Sequence, residues 1–69
     1  MKNEEILKVE KYMQNKFGNG NIKLVPSKSD DDMAEVYINS EFIGTLYRDV
    51  DDDEVSFDFN MSIIDIDLK

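Results

Sequence analysis

The chain of 69 residues has no cysteine, no histidine and no tryptophan, only one proline and only three glycines. Without cysteine there is neither a disulfide nor a thiolate nucleophile. Without histidine there is no side chain poised near neutral pH, and without either there is no tetrahedral zinc site of the usual kind. No stretch approaches the ~18 consecutive apolar residues of a membrane span. The first residues lack the apolar segment expected of a secretory leader. The length allows one domain, and a chain of about 60 residues buries only about 60% of its unfolded surface, which leaves a thin margin of stability.

Positive charge is the next scarcity. Eight Lys and Arg face sixteen Asp and Glu, a formal charge of −8. The imbalance is uneven: residues 1–28 carry +3 and residues 29–69 carry −11. A net negative domain repels phosphates and anionic lipid heads, so neither nucleic acid nor a membrane is expected as a partner.

What is present begins with an amphipathic helix over residues 3–17. Ile6, Val9, Met13 and Phe17 fall on one stripe at the helical period. Asn3 is placed to cap it, Glu4 and Glu5 suit the positive end of its dipole, and Lys16 suits the last turn. Gly18 stands where a left-handed C-terminal cap belongs. Glu10 borders the apolar stripe and is expected to snorkel from it toward Arg48.

Four segments of β character follow, at about 21–25, 33–38, 42–48 and 55–61, with a C-terminal extension at 63–68. Pro26 marks the first as an edge strand. A three-residue connection, Asn39-Ser40-Glu41, sets Ile38 against Phe42, Val36 against Gly44 and Ala34 against Leu46. The next hairpin is expected to set Leu46 against Phe57, Gly44 against Phe59 and Phe42 against Met61, so that a ring covers the strand glycine. The fold class is therefore α+β: an N-terminal helix on one face of a three- to four-stranded antiparallel meander. The expected core is Ile6, Val9, Met13, Phe17, Ile22, Leu24, Val36, Ile38, Phe42, Leu46, Val55, Phe57, Phe59 and Met61.

Two features exceed what such a sandwich can hide. Alternation sends Tyr37, Ile43 and Tyr47 to the second face of the sheet, where polar residues belong. The tail then changes parity, because Met61 is odd whereas Ile64, Ile66 and Leu68 are even. Either a bulge near Ser62-Ile63 returns the tail to the core, or its apolar side joins the second face and makes a contact patch. The candidate interaction residues are accordingly Tyr37, Ile43, Tyr47, Ile64, Ile66 and Leu68.

Chemistry has fewer candidates. Asp49, Asp51 and Asp53 sit at the first, third and fifth places of a calcium-loop count, but Glu54 replaces the required glycine and Asn60 the closing glutamate. With Asp30, Asp31 and Asp32 they are expected to line one end of the sheet as an acidic rim fit for a basic protein or a weakly held divalent ion. No glycine-rich phosphate loop and no activated hydroxyl is present, so no catalytic residue, no cofactor and no dedicated metal ligand is expected. The partner expected is a second copy or another protein.

Taken whole, the chain resembles a family of small alphaproteobacterial proteins known as a domain of unknown function. The likeness rests on Phe17-Gly18-Asn19 with Asn21-Ile22, on Ala34-Glu35-Val36-Tyr37-Ile38, and on Glu41-Phe42-Ile43-Gly44 with Leu46-Tyr47. It continues through Phe59-Asn60-Met61 and Ile64-Asp65-Ile66-Asp67-Leu68, nearly the full length. The resemblance implies a free-standing cytoplasmic bacterial protein and carries no activity, cofactor or site residue with it. The function these observations support is a small non-catalytic protein-interaction module that associates with itself. The alternative is an acidic regulator acting through loops 30–32 and 49–54.

Overall fold

The computed structural model describes residues 1–68. Helix α1 spans Asn3–Phe17, and strands β1 (Ile22–Pro26), β2 (Met33–Ile38), β3 (Glu41–Asp51) and β4 (Glu54–Asn60) form one antiparallel sheet in the order β1-β2-β3-β4. The α+β meander expected from the sequence is the fold observed, with four strands.

The helix has the expected bounds, but its cap lies one residue earlier than expected. Lys2, not Asn3, is the capping residue, and its backbone N–H donates to Glu5 Oε1 at 3.4 Å. Glu5 is held in place to do this by Arg48, whose Nε donates to Glu5 Oε2 at 2.9 Å. The far end follows expectation: Gly18 takes φ +62°, a conformation that costs a residue with a Cβ. Ile6 and Met13 are buried beneath the helix with Ile22, Leu24, Ala34, Val36 and Leu46, and these seven make the whole core.

The β2–β3 hairpin corrects its expected register in an informative way. Its turn has two residues, Asn39 and Ser40, both at positive φ, so Ile38 faces Glu41 and Tyr37 faces Phe42. A bulge then inserts Ile43, and from Val36–Gly44 onward the pairing is the one the sequence predicts. The bulge exchanges two side chains between faces. Ile43, expected on the second face, packs against the core on the helix side. Phe42, expected in the core, is 52% exposed and stacks edge-on against Tyr37 with ring centroids 5.7 Å apart.

The β3–β4 hairpin is displaced by two residues from its expected pairing, because its turn is Asp52-Asp53 and Asp51 faces Glu54. Leu46 therefore lies opposite Phe59, and Arg48 opposite Phe57. A shift of two preserves which face each side chain takes. The ring of Phe59 still lies over Gly44, and a Cβ on that glycine would sit 2.8 Å from Phe59 Cε1 and 2.3 Å from the Asn60 carbonyl oxygen. Because β2 pairs with β3 only as far as Tyr47, residues 48–57 project as a two-stranded ribbon. The molecule is accordingly elongated, 43 × 23 × 21 Å.

The tail takes neither course that its parity suggested. It leaves the sheet after Asn60 and closes into a single 3-10 turn at Asp65–Leu68. Ile63, Ile64, Ile66 and Leu68 all stay exposed.

Candidate interaction surface

The helix seals one margin of the sheet and leaves the other open. Along β1 the backbone groups of Ile22, Leu24 and Pro26 point outward, since Asn21 and Ser27, one residue beyond each end of the strand, bond inward toward β2. Glu10 Oε2 accepts the Leu24 N–H at 3.0 Å, and Gln14 Nε2 donates to the Ile22 carbonyl at 2.9 Å. Pro26 has no N–H to offer. Glu10 and Gln14 are one helical turn apart, so the spacing of α1 matches that of the strand it caps. Glu10 thus serves β1, and the expected pairing with Arg48 does not occur. Arg48 instead joins Glu5 and, at 3.5 Å, Asp32 Oδ1.

At the opposite margin α1 packs less closely on β4 than it does on β1. The inward face of β4 presents Val55, Phe57 and Phe59 across a groove of about 440 Å³ to Val9, Tyr12 and Met13 of the helix. A second hollow of about 300 Å³ continues it past Phe17, Ile43 and Met61. Phe17, Val55 and Met61, all expected in the core, are 59%, 43% and 53% exposed for this reason. Val9, Ile38, Phe57 and Phe59 are half-buried at its walls. No side chain among the described residues bonds the outer backbone edge of β4.

The six residues singled out for contact do not form one patch. Tyr37 and Tyr47 lie on the face away from the helix, where Tyr37 donates to Glu35 Oε1 at 3.2 Å. Burial, the charge of Glu35 and this bond together hold the Tyr37 phenol above its ordinary pKa. Ile43 lies on the helix face. Leu68 borders a hollow with Phe42, Ile43 and Ile63 at the end of the sheet, and Ile64 and Ile66 stand clear of it. Sequence reasoning missed the β4 groove because alternation correctly assigned Val55, Phe57 and Phe59 to the helix side but gave no measure of how far one helix reaches.

The acidic residues Asp30, Asp31, Asp32, Asp49, Asp51 and Asp53 are all exposed. Loop 27–32 and turn 52–53 share one end of the sheet, but the N-terminal ammonium donates to the Asp31 carbonyl and Arg48 pairs with Asp32. Residues 49–51 and 54–60 are paired strands, so the calcium-loop count has no loop to occupy. Among the described residues no group of three or more acidic side chains converges as a metal site. Asp30, Asp49, Asp51 and Asp53 are exposed at that end. Around Glu5, partial desolvation pushes the carboxyl upward. The bond from Arg48, the Lys2 N–H and the nearby positive charges outweigh it and hold its pKa below the ordinary value.

A family model described as "Protein of unknown function (DUF3126)" matches residues 5–67. The chain belongs to this family. The match takes in α1 from its third residue, all four strands and most of the tail, so DUF3126 covers nearly all of the helix-on-meander unit. No curated protein and no solved structure matches the chain. No helix among the described residues is long and apolar enough to cross a membrane.

Proposed function

We propose that this DUF3126 protein is a non-catalytic interaction module that works by associating with a second protein chain, its own copy in the first instance, through the apolar surface around β4. The observation that carries the reading is the apolar row Val55, Phe57 and Phe59 along the groove, with Val55 exposed and Phe57 and Phe59 only half-buried. A half-sandwich of this kind exposes aromatic surface that costs little side-chain entropy to bury and that a small core needs. The area agrees with this. The molecule exposes 5511 Å², against roughly 4,450 Å² for a compact monomer of its mass. The excess of about 1,000 Å² matches what one partner loses in a standard interface, about 800 Å². The projecting ribbon and the tail contribute to it, and both adjoin the groove.

A cytoplasmic setting is part of this proposal. The test is sedimentation equilibrium from about 1 to 200 μM, a span that detects association as weak as about 5 kcal/mol. A monomer–dimer equilibrium that Phe57→Ser weakens supports the reading. A strict monomer over the whole range overturns it.

A further inference from the structure

Building on that reading, we infer that two copies join through the free edges of β4, antiparallel and centred on Phe57, into one continuous eight-stranded sheet. Three independent features of the strand lead there.

The first is hydrogen-bonding supply. The two-residue turn Asp52-Asp53 makes Asp51–Glu54 a hydrogen-bonded pair, so Glu54, Ser56, Asp58 and Asn60 bond inward to β3. Val55, Phe57 and Phe59 therefore point their N–H and C=O groups outward. A two-fold axis through Phe57 pairs Phe57 with itself and Val55 with the partner's Phe59, which satisfies all six outward groups on each copy. It also sets the two apolar rows side by side on the helix face.

The second is charge. Strand β4 is Glu54–Asn60, so Phe57 is its midpoint. Centred there, Glu54 faces Asn60 and Ser56 faces Asp58, and no carboxylate opposes another. Moving the axis one step toward Ser56 sets Asp58 against Glu54. Moving it one step toward Asp58 sets Asp58 against itself. Each of those registers also shortens the pairing, and like charges directly opposite are destabilising. For a chain of charge −8, the full-length register is free of such clashes, and its two nearest neighbours are not.

The third is closure. The β1 margin is obstructed, since Glu10 takes the Leu24 N–H, Gln14 takes the Ile22 carbonyl and Pro26 has no N–H, so β4 is the open edge and pairing through it stops at two instead of growing into a fibre.

The experiment measures the dimer dissociation constant of the full chain and three variants by sedimentation equilibrium. Ser56→Lys places a lysine opposite the partner's Asp58 twice per dimer and tightens association about fivefold. Asn15→Lys makes the same change in net charge on the exposed side of α1 and serves as its control. Asn60→Glu opposes the partner's Glu54 and weakens association by a similar factor. Ser56 faces Asp49 and Asn60 faces Thr45 within the chain, so neither change opposes a like charge in its own fold. As a second line, Ser56→Cys with Asp58→Cys puts cysteines across a non-hydrogen-bonded pair, where Cα atoms lie about 4.5 Å apart and a bridge closes. Mild oxidation then yields a covalent dimer that reducing agent dissolves. A dimer whose constant ignores Ser56→Lys and Asn60→Glu alike, and whose double-cysteine variant stays uncrosslinked, overturns the β4 register and leaves self-association standing. A parent chain that is monomeric throughout overturns both.

Discussion

Replacing Gly44 by alanine tests the packing of β3 against β4 at its tightest point. The added methyl carbon would lie 2.3 Å from the Asn60 carbonyl oxygen and 2.8 Å from Phe59 Cε1. An ordinary carbon–oxygen contact needs about 3.3 Å, so the β4 backbone must withdraw by about 1 Å at the end of its ladder with Thr45. Overpacking of this kind costs about 1–3 kcal/mol, and loosening the final ladder bond adds about 1 kcal/mol. The expected loss is therefore about 2–4 kcal/mol, in a domain whose total stability is of order 3–10 kcal/mol. The competing argument has the opposite sign: where nothing obstructs the methyl, glycine-to-alanine restricts the unfolded chain and stabilises by about 0.4–1 kcal/mol. Urea unfolding followed by far-UV circular dichroism separates the two. Combining Gly44→Ala with Phe59→Leu removes the ring but leaves the Asn60 carbonyl, so recovery should be partial. A Gly44→Ala chain as stable as the parent, or more so, would refute the close approach.

Ser40, at φ +68° in the tight turn of β2–β3, should prefer glycine. Ser40→Gly is expected to raise stability by about 0.5–1 kcal/mol in the same unfolding assay, because a serine there carries the left-handed penalty that the Asn-Gly turn avoids. Removing the seal on β1 with Glu10→Ala should cost about 1–3 kcal/mol and, read by light scattering, permit species larger than a dimer. The Glu5 carboxyl has its pKa lowered in the folded chain. Its contribution is thus present above the unfolded value of 4.5 and is lost as pH falls through the lower folded value. Arg48→Met should flatten that part of the melting temperature–pH profile, and an unchanged profile would remove the pair from the account.

Much of the fold is legible in the sequence because local patterns and tertiary structure agree. The stripe of Ile6, Val9 and Met13, the cap at Gly18 and the alternation of β2 and β4 each name an element and a face. The register difference at β2–β3 comes from its turn. Asn39-Ser40-Glu41 reads as a three-residue turn, and the chain instead makes a two-residue turn and inserts Ile43 as a bulge, so Phe42 and Ile43 exchange faces while Gly44 and Leu46 keep theirs. A bulge leaves no mark in a pattern of alternation when both residues involved are apolar. The excess of apolar surface is legible too, but its location is not. Alternation points to Tyr37 and Tyr47, whereas an apolar groove opens beside β4, where the width of one helix falls short of a four-stranded sheet. Glu10 shows the same limit: its position at the rim of the helix is readable, and its bond to the Leu24 N–H requires knowing which strand lies beneath.

The central claim is that β4 is bare in the single chain and covered in a pair. Hydrogen–deuterium exchange of the Val55, Phe57 and Phe59 amides, followed by NMR at rising protein concentration, tests it most directly. All three should exchange quickly in dilute solution and slow together as dimer accumulates, while the amides of Ser56 and Asp58 stay protected throughout. Equally fast exchange of the three at every concentration, in a sample that sediments as a dimer, would contradict the account.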